Sequence, residues 1–238
     1  MSGHSHWAGI KHKKAAMDAK KGKVFGKLAK IISVAAREKG GDPSMNPRLR
    51  IAIETAQKAN MPKDNIERAI KKGTGELEGA QFEEIIIEIY GPEGVAILVE
   101  AITDNKNRTI SEIKGILSRH NGKMASEGSV KWMFAQRGTI RVNDEGLDKD
   151  ALELVAIESG ADDMEWNDKE LTVYASLENM ENVKEEFEKK NFIPESATVE
   201  WVAQNPVEIT DAQRSKLENL FEALDEYDDV QEIYSNIK

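Results

Sequence analysis

The chain has 238 residues, of which 32% are charged, with a formal net charge of −10 and no cysteine. The absence of cysteine excludes disulfides, thiolate zinc sites and cysteine nucleophiles, and it favours a reducing compartment. No run approaches the roughly 18 apolar residues of a membrane span, and no apolar segment follows the N-terminal lysines as it would in a secretory signal. A cytoplasmic protein without a membrane partner is therefore expected.

Charge is distributed unevenly along the chain. The first 75 residues hold 17 lysines and arginines against 6 aspartates and glutamates, a net charge of +11. The remaining residues hold 16 and 37, a net charge of −21. A cationic segment on an anionic body is typical of a protein that meets a polyanion through one part only. Docking of the cationic segment on the chain's own acidic body is the alternative explanation.

Residues 1–75 predict a basic arm followed by three helices. Apolar residues recur with helical spacing from Ala15 onward. Asn46-Pro47 is typical of the N-cap and first position of a second helix. A third helix ends at a glycine-containing linker, 73–80, where the charge also reverses. These residues are therefore expected to form a helical domain.

Beyond the linker, apolar residues alternate with a period of two, which indicates strands. Residues 137–202 predict the order β-α-β-β-α-β, which is the ferredoxin-like order. The flanks, 81–136 and 203–238, are expected to form one discontinuous α+β domain, with a short strand at 130–135. The predicted fold class is α+β. An N-terminal helical domain is followed by two α/β domains, one of ferredoxin-like order inserted in the other.

Motifs for enzyme chemistry are missing from the sequence. There is no phosphate-binding P-loop, no dinucleotide-binding fingerprint after a strand and no nucleophile elbow. His4 and His6 alternate in the arm without a thiolate or a helical histidine pair to complete a zinc site. His120 lies at a helix end, where a capping role is favoured. The expectation is a protein that is not an enzyme and holds neither a metal ion nor a cofactor.

The cationic segment supplies most of the candidate nucleic-acid-binding residues. Lysine and arginine neutralise phosphates and release condensed counterions, and an exposed tryptophan can either stack on a base or pack on its own domain. The candidates in this segment are Trp7, Lys11, His12, Lys13, Lys14, Lys20, Lys21, Lys23, Lys27, Arg48 and Arg50.

A second group of candidates lies in the anionic body. Lys106, Asn107 and Arg108 precede a predicted helix, and a helix N-terminus with such side chains suits phosphate contact. The alternative is a capping segment, with Asn107 or Thr109 as the N-cap and Arg108 in solvent.

The N-terminal sequence resembles the signature opening of the YebC family, with GHSHWAGIKHKKA at positions 3–15. Further matches follow in order at 46–50, 60–70, 91–96, 103–109 and 128–130. Two departures are small: His6 stands where the family pattern has lysine, and residues 124–127 replace a Leu-Gly-Glu type stretch. The family includes bacterial proteins called probable transcriptional regulators and the mitochondrial translational activator of cytochrome c oxidase.

The resemblance implies three domains and regulation of gene expression without catalysis. The match starts at Ser2, so a bacterial cytoplasmic member without a presequence is expected. The leading prediction is a transcriptional regulator that binds duplex DNA. One alternative is a translation factor that binds the ribosome and ribosomal RNA. Another is a small-molecule sensor that uses the ferredoxin-like domain. No helix-turn-helix recognition surface is visible, which weakens sequence-specific reading of DNA.

Overall fold

A computed structural model of the chain describes residues 18–144 and 146–238, and for residues 18–21 it describes the backbone alone. These residues divide into two compact units. Residues 18–131 with 209–234 form one unit, and residues 132–208 with 235–238 form the other.

Three helices open the first unit: α1 (Asp18–Lys39), α2 (Pro47–Lys58) and α3 (Lys63–Thr74). Helical apolar spacing predicted all three, and their apolar faces share one core. Among its buried members are Leu28, Ile32, Leu49, Ala56 and Ile66. Helices α1 and α3 approach closely where Gly73 faces Ser33. A Cβ atom on Gly73 would lie 2.3 Å from the Ser33 carbonyl oxygen, so only glycine fits.

Asn46 explains the start of α2. Its side-chain oxygen accepts a hydrogen bond from the backbone N–H of Leu49 at 3.1 Å, as predicted for an N-cap. Its amide nitrogen also donates to the carbonyl oxygens of Ala35 and Gly40 at 2.8 and 2.9 Å. One buried side chain therefore begins α2 and satisfies carbonyl groups at the end of α1.

The further elements alternate strands and helices. In chain order they are β1 (Glu83–Tyr90), β2 (Ala96–Thr103), α4 (Lys106–Arg119), β3 (Lys123–Met124), β4 (Phe134–Asn143), α5 (Lys149–Glu158), β5 (Asp163–Asn167), β6 (Glu170–Ala175), α6 (Met180–Lys189), β7 (Ser196–Ala203), α7 (Asp211–Asp225) and β8 (Val230–Ser235). The first sheet has the strand order β3-β1-β2-β8. Strand β1 pairs antiparallel with β2 and with β3.

The second sheet has the strand order β5-β6-β4-β7, and its neighbouring strands are antiparallel. With α5 and α6 following β4 and β6, this is the predicted ferredoxin-like order. The helices cover one sheet face, where Ile140, Leu152, Leu171 and Phe187 belong to one buried core. The fold class is confirmed: a helical N-terminal region precedes two mixed regions of helix and sheet.

One strand prediction is wrong. The predicted strand at 130–135 is instead a 3₁₀ turn, Lys131–Met133, followed by β4, which runs without interruption from Phe134. Pairing with β7 from Phe134 to Arg141 makes the first part of β4 continuous with the rest of the strand. On the side of β1 away from β2, the neighbouring strand is β3. It has two residues, which are too few to show an alternation of apolar and polar residues in the sequence. The predicted domain boundaries stay a prediction.

No helix within residues 18–144 and 146–238 is both long enough and apolar enough to cross a membrane.

Candidate nucleic-acid interface

Three lysines of α1 lie against an acidic turn, defined here as residues 225–229, from the last residue of α7 to the residue before β8. Lys23, Lys27 and Lys30 follow the helical spacing i, i+4, i+7, so they share one face of α1. Lys27 Nζ lies 2.8 Å from Asp225 Oδ1, and Lys30 Nζ lies 2.6 Å from Asp229 Oδ1. Two of the predicted phosphate ligands, Lys23 and Lys27, are thus engaged by the chain's own carboxylates and carbonyls.

Backbone carbonyls of the acidic turn complete this contact. Lys23 Nζ donates to the carbonyl oxygen of Glu226, and Lys30 Nζ donates to that of Asp228 at 2.9 Å. The carboxylates of Glu226 and Asp228 are left exposed beside the lysine row. The row of three lysines therefore faces negative charge from the chain itself. This charge is of the kind that the phosphates of a bound nucleic acid would present.

Asp229 is the centre of the contact and is almost fully buried. Its Oδ2 accepts hydrogen bonds from Thr109 Oγ1 at 2.7 Å and from Tyr227 Oη at 3.0 Å. Arg108 Nη2 lies 3.2 Å from the same oxygen. Burial by itself would raise the pKa of Asp229, but hydrogen bonds from Lys30 and Thr109 lower that pKa to about 2. Asp229 is therefore a charged group that joins α1 and α4 to the acidic turn.

The segment before α4 has a different cap from the one predicted. Asn105 is the N-cap, and its side chain accepts from the backbone N–H of Arg108 at 3.1 Å, so the assignment of Asn107 or Thr109 was wrong. Thr109 is instead buried against Asp229. Arg108 also pairs with Asp104 at 2.7 Å. Lys106 and Asn107 are exposed at the helix N-terminus, where backbone N–H groups favour anions.

The two arginines of α2 differ in whether a carboxylate of the chain already engages them. Arg48 forms ion pairs with Glu38, at 2.8 Å, and with Glu84. Burial would lower the pKa of Arg48, but the hydrogen bonds to these carboxylates raise it. Arg50 is exposed and makes no ion pair within the described part of the chain. Of the two, Arg50 is the one available to an external phosphate.

Five further cations share the exposure of Arg50, and sequence reasoning did not select them. They pair with no carboxylate among residues 18–144 and 146–238: Arg37, Lys39, Arg68, Lys71 and Lys72. We call helices α1 to α3 the helical head. The approach of Gly73 to Ser33 brings the C-terminal ends of α1 and α3 together, which places several of these charges at one end of the helical head. Their exposure could have been inferred from the sequence, because these residues lie outside the apolar face of their helices.

The remaining candidates lie at or before the start of α1. Trp7, Lys11, His12, Lys13 and Lys14 are outside the described residues. Lys20 and Lys21 lie within α1, for which only the backbone is described at these positions.

The face of the ferredoxin-like sheet opposite its helices carries polar side chains, among them the buried Arg141 and Tyr174. Arg141 forms a two-point ion pair with Glu200 at 2.7 and 2.8 Å, and Tyr174 donates to Glu165 at 2.6 Å. Burial raises the pKa of Tyr174, and the neighbouring Glu165 raises it further. Carboxylates at this face repel phosphate, so it is a poor surface for a nucleic acid.

Comparison with known proteins agrees with this arrangement of helical head and sheets. The sequence model of the TACO1/YebC N-terminal domain matches residues 5–76, and the model of the second and third domains of TACO1/YebC matches residues 82–237. The chain belongs to the TACO1/YebC family. The boundary between the two matches coincides with the linker at which the charge reverses.

Relatives of this TACO1/YebC chain match it almost end to end. A probable transcriptional regulatory protein of Halothermothrix orenii is 49% identical over 99% of this chain and 94% of its own length. One from Thermoanaerobacter pseudethanolicus is 50% identical over 100% and 97%. A crystal structure of a conserved hypothetical protein from Aquifex aeolicus, 46% identical, aligns with a TM-score of 0.90 over 98% of this chain and 97% of its own. The names of the sequence relatives support a role as a regulator.

Proposed function

We propose that this protein is a non-enzymatic, cytoplasmic regulator of gene expression that binds nucleic acid through the phosphate backbone, with duplex DNA as its ligand. The observation that carries the proposal is the segregation of charge, +11 in residues 1–75 against −21 in the remainder. Charge segregation alone supports binding of a polyanion. The names of the relatives, which are called probable transcriptional regulatory proteins, support a role of that binding in regulation.

The proposed surface combines the arm with exposed cations of the helical head. Lys11, Lys13 and Lys14 supply charge in the arm, next to Trp7 and His12. Within the helices, the exposed and unpaired cations described above extend this charge. Lys106 and Asn107 offer a separate contact at the N-terminus of α4. Lys23, Lys27, Arg48 and Arg108 would contribute less, because intrachain carboxylates or carbonyls already engage them.

Contact with phosphates is favoured over reading of bases. A recognition helix meets base edges with its N-terminal residues. The N-terminal half of α3 exposes Asp64 and Glu67, and these carboxylates would be repelled by the phosphates that line a major groove. Lys63, at the start of α3, is paired with Glu67, and the exposed cations of α3 that pair with no carboxylate among the described residues follow later in the helix, at Arg68, Lys71 and Lys72. This distribution supports binding of weak sequence preference.

Ribosomal RNA is the second candidate ligand, with a role as a translation factor. Backbone binding of weak sequence preference suits RNA as well as DNA, since both present phosphates to lysine. The family model that matches the chain covers TACO1 together with YebC. The sensor alternative stays a prediction, and no contact described above favours it.

In-cell crosslinking followed by sequencing of all bound DNA and RNA tests the proposal. Reads concentrated at a small set of promoters would support the DNA-binding regulator. Reads concentrated on ribosomal RNA would replace it with the translation factor. Absence of enrichment in either pool, with the protein crosslinked efficiently, would overturn both.

A further inference from the structure

The lysine row of α1, formed by Lys23, Lys27 and Lys30, has the spacing of a phosphate-binding face. The three residues lie at i, i+4 and i+7 along the helix. They therefore share one face and span roughly 10 Å of the helix axis. One strand of B-form DNA presents about three phosphates over the same length. The row thus matches the spacing of consecutive phosphates.

The acidic turn opposes this row with a similar density of negative charge. Four of its five residues carry a carboxylate: Asp225, Glu226, Asp228 and Asp229. Negative charges so close together on one short segment repel one another unless cations lie beside them. The lysine row supplies those cations, so the turn occupies the row in the manner of a short phosphate backbone.

The contact between the row and the turn is unequally buried along its length. The side chains of Lys30 and Asp229 are 15% and 7% exposed, and Asp229 is also held by Thr109. The side chain of Asp225, the partner of Lys27, is 30% exposed. Loss of Lys30 would deprive a buried carboxylate of a charged partner, whereas Asp225 is partly solvated already. Exchange of partners is therefore less costly at Lys27 than at Lys30.

Lys23 forms the third contact, with an uncharged acceptor. Its Nζ donates to the backbone carbonyl oxygen of Glu226. A hydrogen bond from an ammonium group to a charged phosphate oxygen is stronger than one to a neutral carbonyl. Lysine also has a flexible aliphatic stem, so Lys23 and Lys27 can reach a new acceptor while the backbone of α1 stays in place.

We propose that the acidic turn is an internal competitor for nucleic acid at the lysine row. When nucleic acid binds, Lys23 and Lys27 exchange the turn for consecutive phosphates, while Lys30 stays on Asp229. A single phosphate ion replaces one contact and is repelled by the remaining carboxylates, whereas a chain of phosphates replaces several contacts together. The competition makes the row selective for contiguous phosphates. This inference rests on the proposed function and describes its regulation at one surface.

Asp225→Asn tests the competition at one contact. It removes the charge that holds Lys27, and it should strengthen binding of the full chain to a short fluorescein-labelled DNA duplex about 2- to 5-fold at low salt. The same change in a Lys27→Gln background should give a smaller gain, because the lysine that it would release is absent. Asp150→Asn, on α5, removes an equal charge from an exposed position elsewhere and should give a smaller gain than Asp225→Asn.

Carbodiimide cross-linking of the wild type gives a second readout, which needs no variant. Lys27 Nζ and Asp225 Oδ1 are 2.8 Å apart, close enough to be joined in an amide bond that mass spectrometry detects. Saturating duplex should lower the yield of this cross-link about 2-fold or more, because Lys27 is then mostly on phosphate. Lys189 and Glu186, also 2.8 Å apart, form the reference cross-link and should be unaffected. Inorganic phosphate at equal ionic strength should leave both yields unchanged.

The outcomes distinguish failure of this inference from failure of the proposed function. Duplex binding with an unchanged cross-link between Lys27 and Asp225 would overturn the inference alone. Equal gains from Asp225→Asn in the wild-type and Lys27→Gln backgrounds would do the same. An equal loss of the cross-link with inorganic phosphate would contradict selection of contiguous phosphates. A wild-type protein that binds neither duplex DNA nor RNA would overturn both the proposed function and this inference.

Discussion

Lys30 and Asp229 form an ion pair of 2.6 Å although they are 199 residues apart in the chain. Their side chains are only 15% and 7% exposed, so the pair is largely removed from solvent. It joins the cationic N-terminal helix to the segment that precedes β8. The alternative that the sequence left open, docking of the basic head on the acidic body, is therefore partly realised: the lysine row of α1 contacts the acidic turn, while other cations stay exposed.

Asp229→Asn should lower the free energy of unfolding by about 2–4 kcal/mol, because Lys30 and Arg108 would lose a charged, almost buried partner. Urea denaturation measures the change. Asp228→Asn is the matched control, since the Asp228 carboxylate is exposed and only its carbonyl oxygen contacts Lys30. The control should stay within about 0.5 kcal/mol of the wild type. Equal losses in both variants would show that Asp229 is no special anchor.

The same residue predicts how stability depends on pH. The pKa of Asp229 is lowered to about 2 in the folded protein, against an unfolded value of about 4. A lowered folded-state pKa stabilises above the unfolded value, and that stabilisation disappears as pH falls through the folded value. The stability difference between wild type and Asp229→Asn should be constant above about pH 5 and should shrink between about pH 4 and pH 2. A difference that is independent of pH would contradict this.

Replacement of Lys11, Lys13 and Lys14 by glutamine should weaken binding to duplex DNA and reduce its salt slope by up to ~3 units, about one for each lost phosphate contact. Fluorescence anisotropy over a range of salt concentrations gives both quantities. The control replaces Lys169, Lys190 and Lys216, which are exposed elsewhere and change the net charge equally. If both triple variants lose affinity to the same extent, only net charge matters and the arm has no particular role.

Neutralisation of the exposed carboxylates of the acidic turn should strengthen nucleic-acid binding. Glu226→Gln with Asp228→Asn removes two negative charges beside the lysine row of α1 without removing either carbonyl contact. A gain of roughly 3- to 10-fold in affinity at low salt is expected, decreasing as salt screens the charges. Glu158→Gln with Glu188→Gln, on α5 and α6, is the control of equal charge. A gain that is no larger than in this control would indicate that α1 does not contribute.

The helical head was predictable because its signals are local. Asn46 caps α2 through a bond to a residue three positions ahead, and such spacing can be read directly. The ferredoxin-like order was predictable for a related reason, since period-two and period-3.6 segments of ordinary length alternate along residues 137–202. The candidate residues were likewise chosen by charge and position along the chain.

The tertiary structure decided which of those cations are available. Lys27 and Arg50 look alike in sequence, yet Lys27 is held by Asp225 from 198 residues away, whereas Arg50 is exposed. The carboxylate of Glu88 accepts a hydrogen bond from the backbone N–H of Gly128, 40 residues later in the chain. This contact could not be read from the sequence, since no local pattern joins the two residues. Fold class and overall charge separation follow from local spacing and composition alone. Ion pairs and loop restraints follow from contacts between distant segments, which only the folded chain brings together.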